Sequence, residues 1–202
     1  ITALLLITGC TSLQAENPPP LTTKPTTTTA TTSTATPPTP APAYTPATAD
    51  GPAQNVPTPI LPEKAKEFSK EGLEAFARHW YTTLGYAFET GDPAPMMAIT
   101  NPDCKTCNAM KDGVTSGHAD GKWIVGGQMT VVSMDSTFKQ MPDETFQVVG
   151  MVRQQHVIYY NADKSVRKDL GVKVAIADIV VGKYANGHWT AITVEHLQGS
   201  KK

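Results

Sequence analysis

Asp178 is the side chain whose setting most favours chemistry. It interrupts the apolar run Val174-Ala-Ile-Ala-Asp178-Ile-Val-Val181, and strand parity puts it on the same face as Val174 and Ile176. A carboxylate on an apolar strand face is costly unless it is paired, protonated or turned outward. Two readings follow. In one, Asp178 is a general base in a pocket. In the other, Arg153, mid-strand in 149–157, neutralises it, or a bulge turns it to solvent. Tyr81, Tyr86 and Asp92 are candidates by type alone, and Asp92 in Gly91-Asp92-Pro93 reads better as part of a turn.

The five histidines are scattered along the chain. Parity puts His188 and His196 on one face of the last strand, but their separation is too large for one metal ion. His156 shares the parity face of Val148 and Val152, which directs it to the concave side of a sheet. A lone strand histidine is more often satisfied by a hydrogen bond than used as a ligand. Cys104 and Cys107 form a C-x-x-C, a spacing open to a structural disulfide, a redox pair or half a metal site. Zinc would need a second ligand pair at finger spacing, which the chain lacks. For a redox pair, Asp103 opposes and Lys105 assists the lowering of a thiol pKa at a helix start. The expectation is no metal and no cofactor.

The elements that must position these residues are legible as a change of period. Phe68, Leu73, Phe76, Ala77, Trp80, Leu84 and Ala87 recur at three- and four-residue spacing, which predicts a helix over 63–89. Its stripe of Phe76, Trp80 and Leu84 either lines a ligand pocket or forms the core beneath a sheet. Gly91-Asp92-Pro93 stops that helix. A short helix is expected over 95–99, and a third, capped by Asp103, over 104–112. Beyond Lys122 the alternation is that of strands. Thr130, Val132 and Met134 mark the first, and Phe146, Val148, Gly150 and Val152 the second. Val172, Val174 and Ile176 mark the third, and Ile192 and Val194 the last. Asn186-Gly187 is the strongest hairpin signal, because both central positions of that turn need positive φ. Trp123 and Trp189 open strands and should seal the core. Helices followed by a curved antiparallel sheet of about four strands make an α+β domain, with expected limits 63–202.

Composition separates that domain from what precedes it. Between about residue 14 and residue 62 the chain is almost entirely Thr, Pro and Ala, too poor in large apolar groups to offset chain entropy, so a disordered tether is expected. The net charge is −1 with charges interspersed, which excludes nucleic-acid binding through a basic field.

The apolar run ending in Ile7-Thr8-Gly9-Cys10 resembles the lipobox of bacterial lipoprotein signal peptides. The resemblance implies that residues 1–9 are a signal-peptide remnant and that Cys10 is acylated. Residues 10–62 are then a lipidated tether holding the domain at the extracytoplasmic face of the cell membrane. In that compartment two thiols as close as Cys104 and Cys107 are expected as a disulfide stapling the helix-to-sheet crossover.

Phe76-Ala-Arg-His-Trp80-Tyr81, Tyr86-Ala-Phe88-Glu-Thr-Gly91-Asp92 and Asn186-Gly187-His188-Trp189 resemble the nuclear-transport-factor-two-like, or cystatin-like cone, superfamily. With the lipobox, the tether and Pro102-Asp-Cys104-Lys-Thr-Cys107, the chain is also similar to a family of uncharacterised actinobacterial lipoproteins. Enzymes of the superfamily combine a carboxylate with a tyrosine or histidine inside the cone. That implies a small isomerase or dehydratase using Asp178 and Tyr81, with a pocket lined by Phe76, Trp80, His156 and Asp178. No catalytic set aligns residue by residue, so the expectation is a non-enzymatic module that binds a small molecule or an envelope protein. A thiol–disulfide factor is a third reading, and a homodimer through exposed strand faces stays open.

Overall fold

The stripe of buried residues Leu73, Phe76, Ala77, Trp80, Tyr81, Leu84 and Ala87 belongs to one long helix, α1 (Lys70–Thr90). In the computed structural model, which describes residues 42–197, this helix packs along a sheet and under two shorter helices. Residues 1–9, Cys10 and the tether up to residue 41 lie outside the described residues.

Helix α1 starts later than its periodicity predicts. Glu63–Lys66 is a 3-10 turn, and the helix proper begins at Ser69, whose hydroxyl accepts the Gly72 amide at 3.0 Å. Phe68 precedes that cap and is 56% exposed, so it is not on the helix face. Its ring instead packs against Phe138, Phe146, Tyr184 and Trp189 at one end of the core. The stop is as expected: Gly91 takes a left-handed φ of 79° and its amide reaches the Ala87 carbonyl. Helix α2 (Ala94–Met97) is short, and α3 (Lys105–His118) runs one and a half turns beyond residue 112. Its cap is Cys104 rather than Asp103.

The strands form two antiparallel sheets, not the single sheet expected. β2 (Met129–Asp135), β3 (Thr145–Gln154), β6 (Ile176–Ala185) and β7 (His188–His196) form the four-stranded one, in the order β2-β3-β6-β7. β1 (Trp123–Gly126), β4 (Val157–Tyr160) and β5 (Val166–Asp169) form the other, in the order β1-β4-β5. The two share a backbone. β1 runs into β2, β3 runs into β4, and β1 pairs with β4 as β2 pairs with β3. Together they are one long two-stranded ribbon, bent where Gly126 and Gly127 take φ of 77° and 87°. A Cβ on Gly126 would fall 1.9 Å from the His156 carbonyl oxygen, and one on Gly127 would fall 2.9 Å from the Phe88 ring. Only glycine permits that approach.

Two bulges reset which side chains face the helices. In β2 the register slips between Val131 and Ser133, so Val131 and Met134 face inward and Val132, which alternation predicts to be inward, is 60% exposed. In β7 the extra residue is Ile192: Gly182 pairs with Ala191, but Val181 pairs with Thr193. Trp189, Ala191 and Val194 are therefore all buried, and His188 and His196 fall on opposite faces, not on one. Val172 and Val174 are not in a strand and are 79% and 80% exposed.

The domain also begins earlier than residue 63. Residues 42–62 pack on it as a strap, turned by bridges between Thr45 and Gln54 and between Thr48 and Gly51. The Tyr44 hydroxyl bonds Glu89 on α1, a contact that pushes the Tyr44 phenol up to about 12. The Trp123 indole donates to the Thr48 carbonyl at 2.8 Å. Among the described residues no helix is long and apolar enough to cross a membrane.

Two outcomes follow from this packing. A chain beginning at residue 63 should melt about 3 °C or more below one beginning at 42, the equivalent of roughly 1 kcal/mol for a domain of this size. Equal melting would mean that the strap only lies alongside. The second outcome concerns His118, whose Nε2 donates to the Phe88 carbonyl at 2.9 Å. Burial pushes His118 below the ordinary 6.5, the backbone bond only partly opposing it, and burial lowers His79 as well. Below about pH 6.5 the unfolded chain takes up protons that these two histidines refuse when folded. Stability should be greatest above that value and fall as pH drops towards 5. Urea titrations at several pH values test this, and His118→Gln should flatten the fall.

Candidate functional site

A cavity of about 410 Å³ opens between α1, α3 and the inner face of the four-stranded sheet. Leu84 and Phe88, one and two turns beyond Tyr81, form its helical wall. Met110 of α3, Met129 of β2 and Val152 of β3 add further apolar surface, and Val174 and Ile176 border it where the chain enters β6. The polar lining consists of Tyr81, Gln154, Lys173, Asp178 and His196.

Asp178 is 3% exposed and organises those groups. The Tyr81 hydroxyl donates to its Oδ2 at 2.7 Å, and Nδ1 of His196 bonds its Oδ1 at 2.5 Å. Each carboxylate oxygen therefore has a donor, which is the condition for burying this group. Burial pushes the Tyr81 phenol far up, and the Asp178 bond and charge add to the shift, so Tyr81 keeps its proton and acts as a donor. With Asp178 accepting from Nδ1–H, a neutral His196 presents an unprotonated Nε2. Its side chain is 56% exposed, while Tyr81 and Asp178 are buried. The polar chain thus runs from the cavity interior to its mouth.

The structure joins Asp178 to Tyr81. Each carboxylate oxygen accepts one of these bonds, so Asp178 holds Tyr81 and His196 in place. The Arg153 pairing does not form: Arg153 is on the outer face of β3, opposite Thr130, while Asp178 points inward opposite Gly150. His156 is not in the pocket. It sits at the ribbon bend, where the alternation of β3 is lost, and bonds Asp169 at 2.5 Å at the surface, an interaction that lowers the Asp169 pKa. Phe76 and Trp80 are buried behind the cavity wall rather than on it. Trp80 meets Tyr81 edge-on at 5.2 Å, and its indole N–H donates to Thr100 at 2.9 Å. Cys104 and Cys107 are joined as a disulfide. Both are buried, and the Cys104 sulfur accepts the Cys107 amide, so the pair closes the start of α3.

Sequence reasoning does not single out His196, Met110, Gln154 or Lys173 as site residues. Counting back from the Asn186-Gly187 turn could have reached His196, but an unbroken hairpin would place Glu195 opposite Asp178. The Ile192 bulge moves His196 into that position. Among the described residues no group of three or more His, Cys, Asp or Glu side chains is disposed to hold a metal ion.

Residues 42–195 match a family of unknown function, DUF6318, nearly the whole described domain. The chain belongs to that family. The match begins with the strap, in agreement with its packing on the domain. No curated protein matches the sequence.

Similar solved structures include the intermembrane space region of the chloroplast protein ARC6, at 9% identity and a TM-score of 0.48 over 66% of this chain and 99% of that one. Aln2 from a Streptomyces species is 13% identical with a TM-score of 0.41, covering 64% of this chain and 93% of that one. ActVI-ORFA from Streptomyces coelicolor is 12% identical with a TM-score of 0.37, covering 62% and 97%. Likenesses this distant carry no inference about activity.

Tyr81→Phe tests the buried polar chain. Removing the hydroxyl leaves Oδ2 of Asp178 without its donor, and the variant should lose roughly 1–3 kcal/mol in urea unfolding. No loss would mean that water replaces the hydroxyl.

Proposed function

We propose that this domain is a binding module for a small, largely apolar molecule, held at the extracytoplasmic face of a membrane by an acylated Cys10. The cavity carries the reading. Its volume lies within the roughly 300–1,000 Å³ of ligand sites, and its walls combine apolar side chains with a few convergent polar groups, as such sites do. The tether and the Ile7-Thr8-Gly9-Cys10 sequence support the anchoring. A disulfide supports an oxidising compartment.

One observation favours a catalytic alternative. The Asp178–His196 bond orients the imidazole and leaves Nε2 as a proton acceptor at the mouth of the cavity, as an isomerase or dehydratase would require. The thiol–disulfide reading has less support, since both sulfurs are buried away from any exchange partner.

Binding of the uncharged dye Nile red to the full chain tests the pocket. Fluorescence should rise on binding, and Met110→Trp, which fills the cavity from α3, should abolish the rise without lowering the melting temperature. A wild-type chain that leaves the dye dark would end the ligand-binding reading. Exchange of the α-hydrogens of 2-decanone in D₂O, followed by NMR, separates binder from enzyme. A binder leaves exchange at the buffer rate, whereas acceleration lost in His196→Gln would establish proton transfer by His196.

A further inference from the structure

Exposure around the cavity shows which end is open. Tyr81, Val152 and Asp178 are 2–3% exposed and form the interior, whereas Val174 is 80% and Ile176 41% exposed and form the rim. Lys173 and His196, both exposed, are on that rim as well. Val172, next to Lys173, is 79% exposed, and Leu197, next to His196, is 45% exposed. Single exposed apolar residues are ordinary, but a cluster of them beside the mouth of an apolar cavity marks a contact surface.

The charge at this mouth has one sign. Lys173 forms no ion pair among the described residues, and Asp178, the one carboxylate lining the cavity, is already bonded by Tyr81 and His196. The cation at the rim is therefore not matched by a carboxylate at the rim. Deeper in, Leu84, Phe88, Met110, Met129 and Val152 offer an apolar channel. The Tyr81–Asp178 pair within it has its strongest donor and acceptor spent on each other, so an alkyl chain can lie against it without breaking a bond.

We infer that the cavity takes a single-chain amphiphile with an anionic head, its alkyl chain between α1, α3 and the sheet and its head at Lys173. This rests on the pocket reading above and names the class of ligand for it. The exposed valines at the rim give a route by which the chain enters from a micelle or membrane surface without crossing water.

The test uses the full chain loaded with Nile red and titrated with dodecanoate, dodecanol or dodecyltrimethylammonium, the two ions below their micelle thresholds and the alcohol below its solubility limit. Dodecanoate should displace the dye at a concentration at least about tenfold below that of the other two. Lys173→Met should erase most of that preference, read as the ratio of dodecanoate to dodecanol needed to displace the dye from the same variant, and Lys173→Glu should reverse it towards the cationic amphiphile. Lys173 is exposed and outside any strand, so neither variant threatens folding. Dye binding with no preference for the carboxylate, or a preference indifferent to Lys173, would overturn this inference and leave the pocket reading standing. Failure of the dye to bind at all would overturn both.

Discussion

The bend at Gly126 and Gly127 is the constraint on which the rest of the domain depends. Two strands that continued straight through it would make a flat ribbon with one face against α1 and no enclosure. Because the backbone at these glycines approaches the His156 carbonyl and the Phe88 ring closer than any side chain allows, the ribbon folds over. Its first half packs β1 against α1 and α3, and its second half supplies the β2–β3 floor. Met129 and Gln154, which pair across the ribbon just past the bend, both line the cavity. The opening thus sits next to the fold that creates it. Replacing either glycine with a larger residue would change the angle between the halves before it changed any contact in the core.

The apolar interior is held in register by groups that are not apolar. Asp178 lies on the inner face of β6 with Val180 and Gly182, where an unpaired carboxylate would be strongly destabilising. Its two bonds come from opposite directions, Tyr81 from the helix layer and His196 from the neighbouring strand. Sliding α1 along the sheet would break the first, and slipping β7 would break the second. A core of aliphatic side chains alone would resist both motions less, because dispersion contacts re-form after a small shift and a buried carboxylate does not tolerate losing its donor.

Much of this architecture is legible from residue pattern, and the misreadings have definite physical sources. The α1 stripe, the Gly91 stop, the long strands and the Asn186-Gly187 turn follow from periodicity and backbone freedom. The second sheet is not legible because its strands have four residues each, too few for alternation to stand out. Asp178 is legible because a charged residue in an apolar strand is conspicuous. Parity misplaces His156 and passes over His196 for one reason, since it holds only along an unbroken strand. The bend intervenes before His156 and the bulge before His196. The strap reads as tether because Thr and Pro suggest disorder. What fixes it is a few aromatic and backbone hydrogen bonds rather than any apolar run.

The extra residue in β7 has a consequence of a different kind. It acts as a phase shifter: everything C-terminal to Ile192 is rotated half a period relative to what precedes it. Were Ile192 paired as an ordinary strand residue, Glu195, not His196, would stand opposite Asp178, setting two carboxylates side by side in the interior. Losing Ile192 would straighten the strand yet keep Thr193 to His196 in their present pairing, whereas one residue added between Thr193 and Glu195 would turn Glu195 inward and invert the electrostatics of the cavity.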